Sequence, residues 1–295
     1  MNKAGKICLG VFIPIIIFII VFLFLIFIPY SNNLDQYTYT VKEKLGPYKQ
    51  TIPKKIHQIW TGEKMPKKFK KIQKHLQKQN PEYTYHLYNE EQMDNFVKIH
   101  FPQYYKSYSL IAPEYIIAKC DFFRYMIIYH FGGVYFDMKS GAKKPLREII
   151  KSDDEMVIPV WNNIGKIFPR IDTYAQWVII AKPQHPCLKK ILDGVNNRLE
   201  QAINNKNIYG WYGVFTLTGP LMFNTVVKEN ENKIKNITYI AQPNDFVYNY
   251  LEKNDADHLA CTLYSSTGLG FCNHKTSKKR YTLHKTPVVQ SNPKK

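Results

Sequence analysis

Cysteine is scarce, with five among 295 residues. Cys8 lies in an apolar N-terminal run. The other four, Cys120, Cys187, Cys261 and Cys272, form no CxxC pair, which argues against a zinc ribbon or a thioredoxin-like centre. Cys261 and Cys272 flank a glycine-containing stretch. A disulfide in an oxidising compartment and two separate buried thiols both fit them. Acidic residues are also few: 23 Asp and Glu face 41 Lys and Arg, leaving a net charge of +18. That imbalance suits an anionic partner such as a membrane surface or a phosphate-bearing substrate. Nucleic acid is not expected, because no recognition motif accompanies the charge. No internal repeat is visible, which argues against a solenoid or array.

What is present begins with an uncharged run from Ile7 to Pro29. Between Leu9 and Ile28, 18 of 20 residues are Leu, Ile, Phe or Val. At roughly 0.3–0.6 kcal/mol each, insertion of such a helix gains about 5–11 kcal/mol, more than Gly10 and Pro14 can cancel. The length matches a bilayer span and exceeds the apolar core of a cleaved signal peptide. Lys3 and Lys6 precede the run, so the positive-inside tendency leaves residues 1–6 in the cytosol and the rest of the chain in the lumen. Residues 30–52 are polar and aperiodic, as a stem would be.

Beyond the stem, strands alternate with helices, a pattern that predicts an α/β fold with a mainly parallel sheet. Lys55–Trp60, Tyr83–Tyr88, Met156–Trp161 and Trp177–Ala181 read as strands. Helices are expected from Pro66 to about Gln79, from Glu90 to His100 with Asn89 as cap, from His185 to Glu200, and from Leu221 to Lys228. Asn236-Ile-Thr238 is an N-glycosylation sequon.

The stretch from Asp121 to Lys139 is the richest in chemistry. Pro113 and Glu114 suit the first turn of a helix. Residues 115–130 are then apolar nearly all round, so this helix is expected to be buried. Asp121 and Arg124 nonetheless sit inside it, three apart on one face, where an ion pair is costly unless it serves a purpose. Gly132 and Gly133 are expected to end the helix in the left-handed cap conformation. Val134, Tyr135 and Phe136 form a strand, which leaves Asp137 at its carboxyl end, the place where α/β folds bind ligands.

Taken together, Ile56-His-Gln-Ile-Trp60 with Gly62, Asp121-x-x-Arg124 and Gly132-Gly133-x-Tyr135-x-Asp137 resemble the family-32 glycosyltransferases, the sugar-transferase domains with a DXD motif. Gln176-Trp177, Lys182-Pro-Gln-His-Pro186 and Thr218-Gly-Pro220 resemble later segments of that family. The resemblance covers roughly residues 53–225. It implies a GT-A-type nucleotide-sugar-binding fold over residues 53–290, followed by a short tail at 291–295. It also implies transfer of a hexose from a UDP- or GDP-linked sugar, with retention of configuration, to a glycan, glycoprotein or glycolipid. With the span at 7–29 it implies a single-pass type II protein of the Golgi or ER membrane. The alternative is a catalytically inactive relative of the same fold that only binds carbohydrate or nucleotide-sugar.

Carried over by residue, the resemblance makes Trp60 the platform for the nucleotide base. Asp121 and Arg124 become the pair that holds donor-sugar hydroxyls, Tyr135 the tyrosine near ribose and sugar, and Asp137 the first carboxylate of the DXD motif, with Gly132 and Gly133 shaping the donor site. Asn162 and Asn163 are candidates for the acceptor side. The second Asp of the motif is missing: the triplet is Asp137-Met138-Lys139. Three readings stay open. Asp137 recruits Mn²⁺ or Mg²⁺ with help from elsewhere, such as His284; the Lys139 ammonium takes the metal's place at the diphosphate; or catalysis has been lost.

Overall fold

The computed structural model describes residues 50–161, 174–203, 205, 207–234, 236–242, 245–247 and 284–290. The expected span at 7–29, most of the stem, Asn162, Asn163, Cys261, Cys272 and the tail at 291–295 lie outside the described residues. All described residues belong to one of two compact units, Tyr37–Tyr250 with Ser277–Lys295. Among them, no helix is long and apolar enough to cross a membrane.

Eight strands and eight α-helices make up this described part. The strands are β1 (Lys55–Ile59), β2 (Thr84–Tyr88), β3 (Gly133–Phe136), β4 (Gly141–Ala142), β5 (Met156–Trp161), β6 (Val178–Ala181), β7 (Ile237–Gln242) and β8 (Phe246–Val247). The helices are α1 (Lys67–Gln79), α2 (Glu90–His100), α3 (Pro102–Ser109), α4 (Ile116–Phe131), α5 (Leu146–Ile149), α6 (Pro186–Ala202), α7 (Gly210–Leu217) and α8 (Pro220–Asn230). Six strands form one sheet in the order β2-β1-β3-β6-β5-β7, and β4 pairs with β8 in a small second sheet.

β1 is parallel to β2 and β3, and β5 is parallel to β7. β6 runs antiparallel to both of its neighbours, β3 and β5. The sheet is therefore mixed. Strand–helix alternation anticipates parallel pairing through helical crossovers, and it misses the reversal of β6 because a short apolar strand such as Val-Ile-Ile-Ala reads alike in either direction.

Local sequence explains the helices. α2 starts with a capping box, in which Asn89 Oδ1 accepts from the Gln92 amide and the Gln92 side chain accepts from the Asn89 amide. α1 buries Ile72 and Leu76 and exposes its lysines. α4 is buried continuously from Cys120 to Ile128, as an apolar helix without a polar face should be. It packs against β3, β6, α6 and α7 and forms the centre of the core.

Pro113–Tyr115 form a 3-10 turn ahead of α4 rather than its first α-helical turn. Gly132 also departs from expectation. Its φ of 65° is positive, but its ψ of −170° is extended rather than left-handed helical. The chain runs from the helix straight into β3, with no room for a side chain. A Cβ on Gly132 would lie 2.6 Å from Pro183 Cδ and 2.8 Å from Pro53 Cδ. At Gly133, φ is +100° and a Cβ would fall 2.5 Å from the Lys55 carbonyl oxygen of β1. Both glycines are required by backbone conformation and by close approach.

Residues 284–290 lie across the start of α4 and the approach to α7. Backbone bonds from Ala112 to the Val288 carbonyl and from Val288 to the Ile208 carbonyl, 2.9 and 3.0 Å, hold them there. Tyr115 Oη donates to the Thr286 carbonyl at 2.6 Å.

Candidate active site at the carboxyl ends of β1 and β3

Parallel pairing of β1 and β3 brings their carboxyl ends to the same edge of the sheet. Trp60 follows β1 and Asp137 follows β3. Because β6 is antiparallel, its amino end lies at that edge as well, with Phe136 opposite Val178. Gln176 and Trp177 thereby join the site. The Asp137 amide donates to the Trp177 carbonyl at 2.9 Å, and the Gln58 amide donates to the Asp137 carbonyl at 3.2 Å.

Arg124 joins the two carboxylates. Its Nη2 lies 2.6 Å from Asp121 Oδ1 and its Nη1 lies 3.2 Å from Asp137 Oδ1. Nη1 also donates to the Gln176 carbonyl at 3.2 Å. The guanidinium sits over the Tyr135 ring, 5.0 Å from its centroid, in a cation–π contact. Tyr135 Oη donates to Asp137 Oδ1 at 2.9 Å. Thr218 Oγ1 donates to Asp121 Oδ2 at 3.1 Å. Tyr125 Oη, beneath the cluster, hydrogen-bonds the Gln176 side chain and lies 3.1 Å from the Thr218 carbonyl. Arg124 keeps one N–H, at Nε, buried without a hydrogen-bond partner. A buried donor in that state costs about 1–3 kcal/mol.

Burial grades the two carboxylates. Asp121 is fully enclosed, whereas the Asp137 side chain retains 23% of its accessible surface. Burial pushes the Asp121 carboxyl up to about 7 against the pull of Arg124, and the nearby Asp137 charge adds to the rise. For Arg124, burial opposes the charge, but Asp137, Tyr135 and Asp121 more than offset it and its pKa lies above the ordinary value. Burial raises the Tyr135 and Tyr125 phenols well above their usual range, so both act as hydrogen-bond donors. His57, buried in β1, is held neutral: burial lowers its pKa to about 3, with His86 adding to the effect. Its Nε2 lies 3.1 Å from the Gly132 carbonyl, which can only accept, so the proton sits there and Nδ1 accepts from Tyr88 Oη at 3.0 Å. His57 is thus a tie between strands and helix end, not an acid or base.

The structure brings Asp121, Arg124, Tyr135 and Asp137 into direct contact, and Gly132 and Gly133 set the turn that delivers the last two. Trp60 stands at the same sheet edge, packed against Phe69 at 5.2 Å between ring centroids. Its Nε1 is buried with no hydrogen-bond partner. Lys139 is half-buried in the turn after β3, which the Ser140 amide closes onto the Asp137 carbonyl at 2.8 Å. His284 packs edge-on against Tyr115, 5.7 Å between centroids, and belongs to the C-terminal strap.

A divalent metal in a DXD site needs several oxygen ligands. Asp137 Oδ1 already accepts from Tyr135 and pairs with Arg124, and Lys139 stands where the second carboxylate is expected. Among the described residues, no three His, Cys, Asp or Glu side chains group as a metal requires. Of the two site carboxylates, Asp137 is the one open enough to hold such an ion, alongside the diphosphate oxygens of a bound donor.

Four residues of the cluster were not among those singled out from sequence for the site: Gln58, Tyr125, Gln176 and Thr218. Gln176 and Thr218 lie in segments that look family-like, but their contacts reach Arg124 and Asp121 across 52 and 97 positions. Spacing does not report such contacts.

Comparison with known proteins follows the same residues. Residues 66–156 match the family model described as "Glycosyltransferase sugar-binding region containing DXD motif". The matched region holds Asp121, Arg124, Tyr135, Asp137 and Lys139, and leaves Trp60, Gln176 and Thr218 outside. The chain is 28% identical over 231 residues to an initiation-specific alpha-1,6-mannosyltransferase of Candida albicans, covering 66% of this chain and 58% of that protein. It is 29% identical over 202 residues to a mannosyl phosphorylinositol ceramide synthase of Saccharomyces cerevisiae, covering 67% and 49%. It therefore spans about half the length of these relatives. Among solved structures, the ligand-free glycosyltransferase domain of the YGT toxin superposes with a TM-score of 0.50 at 8% identity, covering 64% of this chain and 80% of that one. That likeness is one of fold alone.

Proposed function

We propose that this chain, whose residues 66–156 match the sugar-binding region of DXD-motif glycosyltransferases, moves a hexose from a nucleotide-sugar to a glycan or glycolipid acceptor, with retention of configuration. The relatives' names make mannose the first sugar to test and an inositol-containing sphingolipid the first acceptor. The observation that carries the reading is the Arg124 bridge. A buried guanidinium holds one enclosed and one half-open carboxylate at the carboxyl end of a strand, and its Nε remains unpaired. Stability alone is a weak reason for that arrangement, since the desolvation of such a cluster can exceed what its ion pairs return.

In this reading Asp121 accepts from donor-sugar hydroxyls while Arg124 donates to them, a pairing that fixes a ring by charge-assisted hydrogen bonds. Trp60 stacks on the base. Tyr135 orients Asp137, which meets the ribose and the start of the diphosphate. The leaving nucleoside diphosphate gains negative charge as the glycosidic bond breaks, and a cation placed there lowers the barrier. Lys139 is the cation assigned to that place. Asn162 and Asn163 belong to the acceptor side. Residues 7–29 anchor the chain as a type II protein in a Golgi or ER membrane.

Release of nucleoside diphosphate from a panel of GDP- and UDP-sugars by the full chain in detergent tests the reading. Turnover of at least one donor is expected, and Asp137→Asn is expected to lower it by about 10²-fold or more. A chain that binds a donor by calorimetry yet turns over none, with or without added Mn²⁺, is instead an inactive binding relative. Repeating the assay with a chelator settles Lys139: activity that collapses on chelation removes it from the diphosphate role.

A further inference from the structure

Glycosyl transfer needs a second substrate, and α7 offers it a surface. Gly210–Leu217 reads Gly-Trp-Tyr-Gly-Val-Phe-Thr-Leu, with no charged residue. Gly210, Gly213, Val214 and Leu217 face inward. The other side carries Trp211 and Phe215, one helical turn apart, stacked at 4.7 Å between centroids with an interplanar angle of 20°. Tyr212 beside them is 61% exposed. Trp211 and Phe215 are themselves half-buried, so part of each ring stays open to a ligand.

Its position is set from both ends. Gly213 lies against the strap, where a Cβ would meet Val288 Cγ2 at 2.6 Å, and the Gly210 amide donates to Tyr115 Oη at 2.9 Å. At the other end the chain passes into Thr218, whose hydroxyl bonds Asp121. Trp211 and Phe215, spaced i, i+4, share one side of the helix, and Thr218 caps it three residues beyond Phe215. At 1.5 Å of rise per residue, the stacked pair begins one turn from Thr218 and ends roughly 10 Å from it. The aromatic pair is therefore held within about two helical turns of the residue that bonds Asp121.

We propose that Trp211 and Phe215 form the acceptor platform, on which a six-membered polyol ring docks by its apolar C–H face. This rests on the glycosyltransferase reading above. The ring's C–H bonds present a weakly positive face that suits the negative π-face of an aromatic ring. A membrane surface is the poorer occupant, because interfacial helices place basic residues beside their aromatics and α7 has none. The pair's rigid setting also lowers the ordering cost of docking.

Methyl α-D-mannopyranoside and myo-inositol serve as probes, titrated into the full chain in detergent and followed by saturation-transfer NMR. Saturable binding of at least one probe is expected. Trp211→Ala and Phe215→Ala should each weaken it about tenfold, while Trp211→Phe keeps most of it. Where an alanine variant melts early, Phe215→Leu, which removes the ring at similar volume, carries the comparison and should weaken binding likewise. Unchanged affinity in the variants, or no saturable binding of either probe to the wild type, overturns the platform. So does a Trp211→Ala variant that loses binding to anionic vesicles while its probe affinity holds. The two proposals fail separately. A chain that binds a probe but turns over no donor loses the enzyme reading; one that turns over a donor but binds neither probe loses only the platform.

Discussion

Asp121 shows how a single residue can couple folding to pH and, in its proposed role, to donor binding. Its carboxyl is raised to about 7, chiefly by burial. In the unfolded chain it ionises near 4. Between those values the folded protein holds a proton that the unfolded chain has released, so this residue's contribution to stability is present at low pH and is lost as pH rises through 7. Donor binding should run the other way. In the proposed role the ionised form accepts sugar hydroxyls, so donor affinity is expected to rise from about pH 5.5 to about pH 8.5 with a midpoint near 7. Calorimetric titration of a nucleotide-sugar across that range checks this. Asp121→Asn should bind weakly and flatten the profile. A wild-type profile that is already flat would show that Asp121 stays ionised throughout.

Among the elements, the junction of α4 and β3 carries most of the constraint. Gly133 lies at φ +100° with the Lys55 carbonyl where a Cβ would go. Gly133→Ala therefore forces apart β1 and β3, the two strands whose ends carry Trp60 and Asp137. The backbone conformation alone costs about 1–3 kcal/mol, and the clash adds to it. A fall in melting temperature of several degrees by differential scanning fluorimetry is expected, with donor turnover lost ahead of global unfolding. Much of this junction was legible in sequence, because glycines between an apolar helix and a Val-Tyr-Phe strand have few other uses. The helix, the strand and the Asp121–Arg124 pair follow from periodicity and spacing. The reversal of β6 does not, and neither does the entry of Gln176 and Thr218 into the site. Both depend on how distant segments pair, which short-range pattern does not encode. The 3-10 turn at Pro113–Tyr115 and the extended ψ of Gly132 were missed for a related reason: proline and glycine signal a boundary without specifying its geometry.

For the molecule as a whole, the proposed anchor at residues 7–29 carries a prediction about which side of a membrane the site faces. Residues 7–29 have the length and apolarity of a span, and Lys3 and Lys6 favour a cytosolic N-terminus. Asn236 provides an independent reporter. It is exposed, sits at φ 66° just before β7, and heads the sequon Asn236-Ile-Thr238. Oligosaccharide is attached to such a sequon only on the luminal side, and Asn236 is exposed just outside the strand. Expressed in a eukaryotic cell, the full chain should stay with membranes after alkaline carbonate washing, and a C-terminal epitope should resist protease until detergent is added. A mobility shift removed by endoglycosidase, and absent in Asn236→Gln, is expected to accompany that protection. An epitope digested without detergent, on a chain that still resists carbonate, would keep the anchor and reverse the orientation. The site would then face the cytosol, and the acceptor would have to be sought among lipids of the outer, cytosolic leaflet.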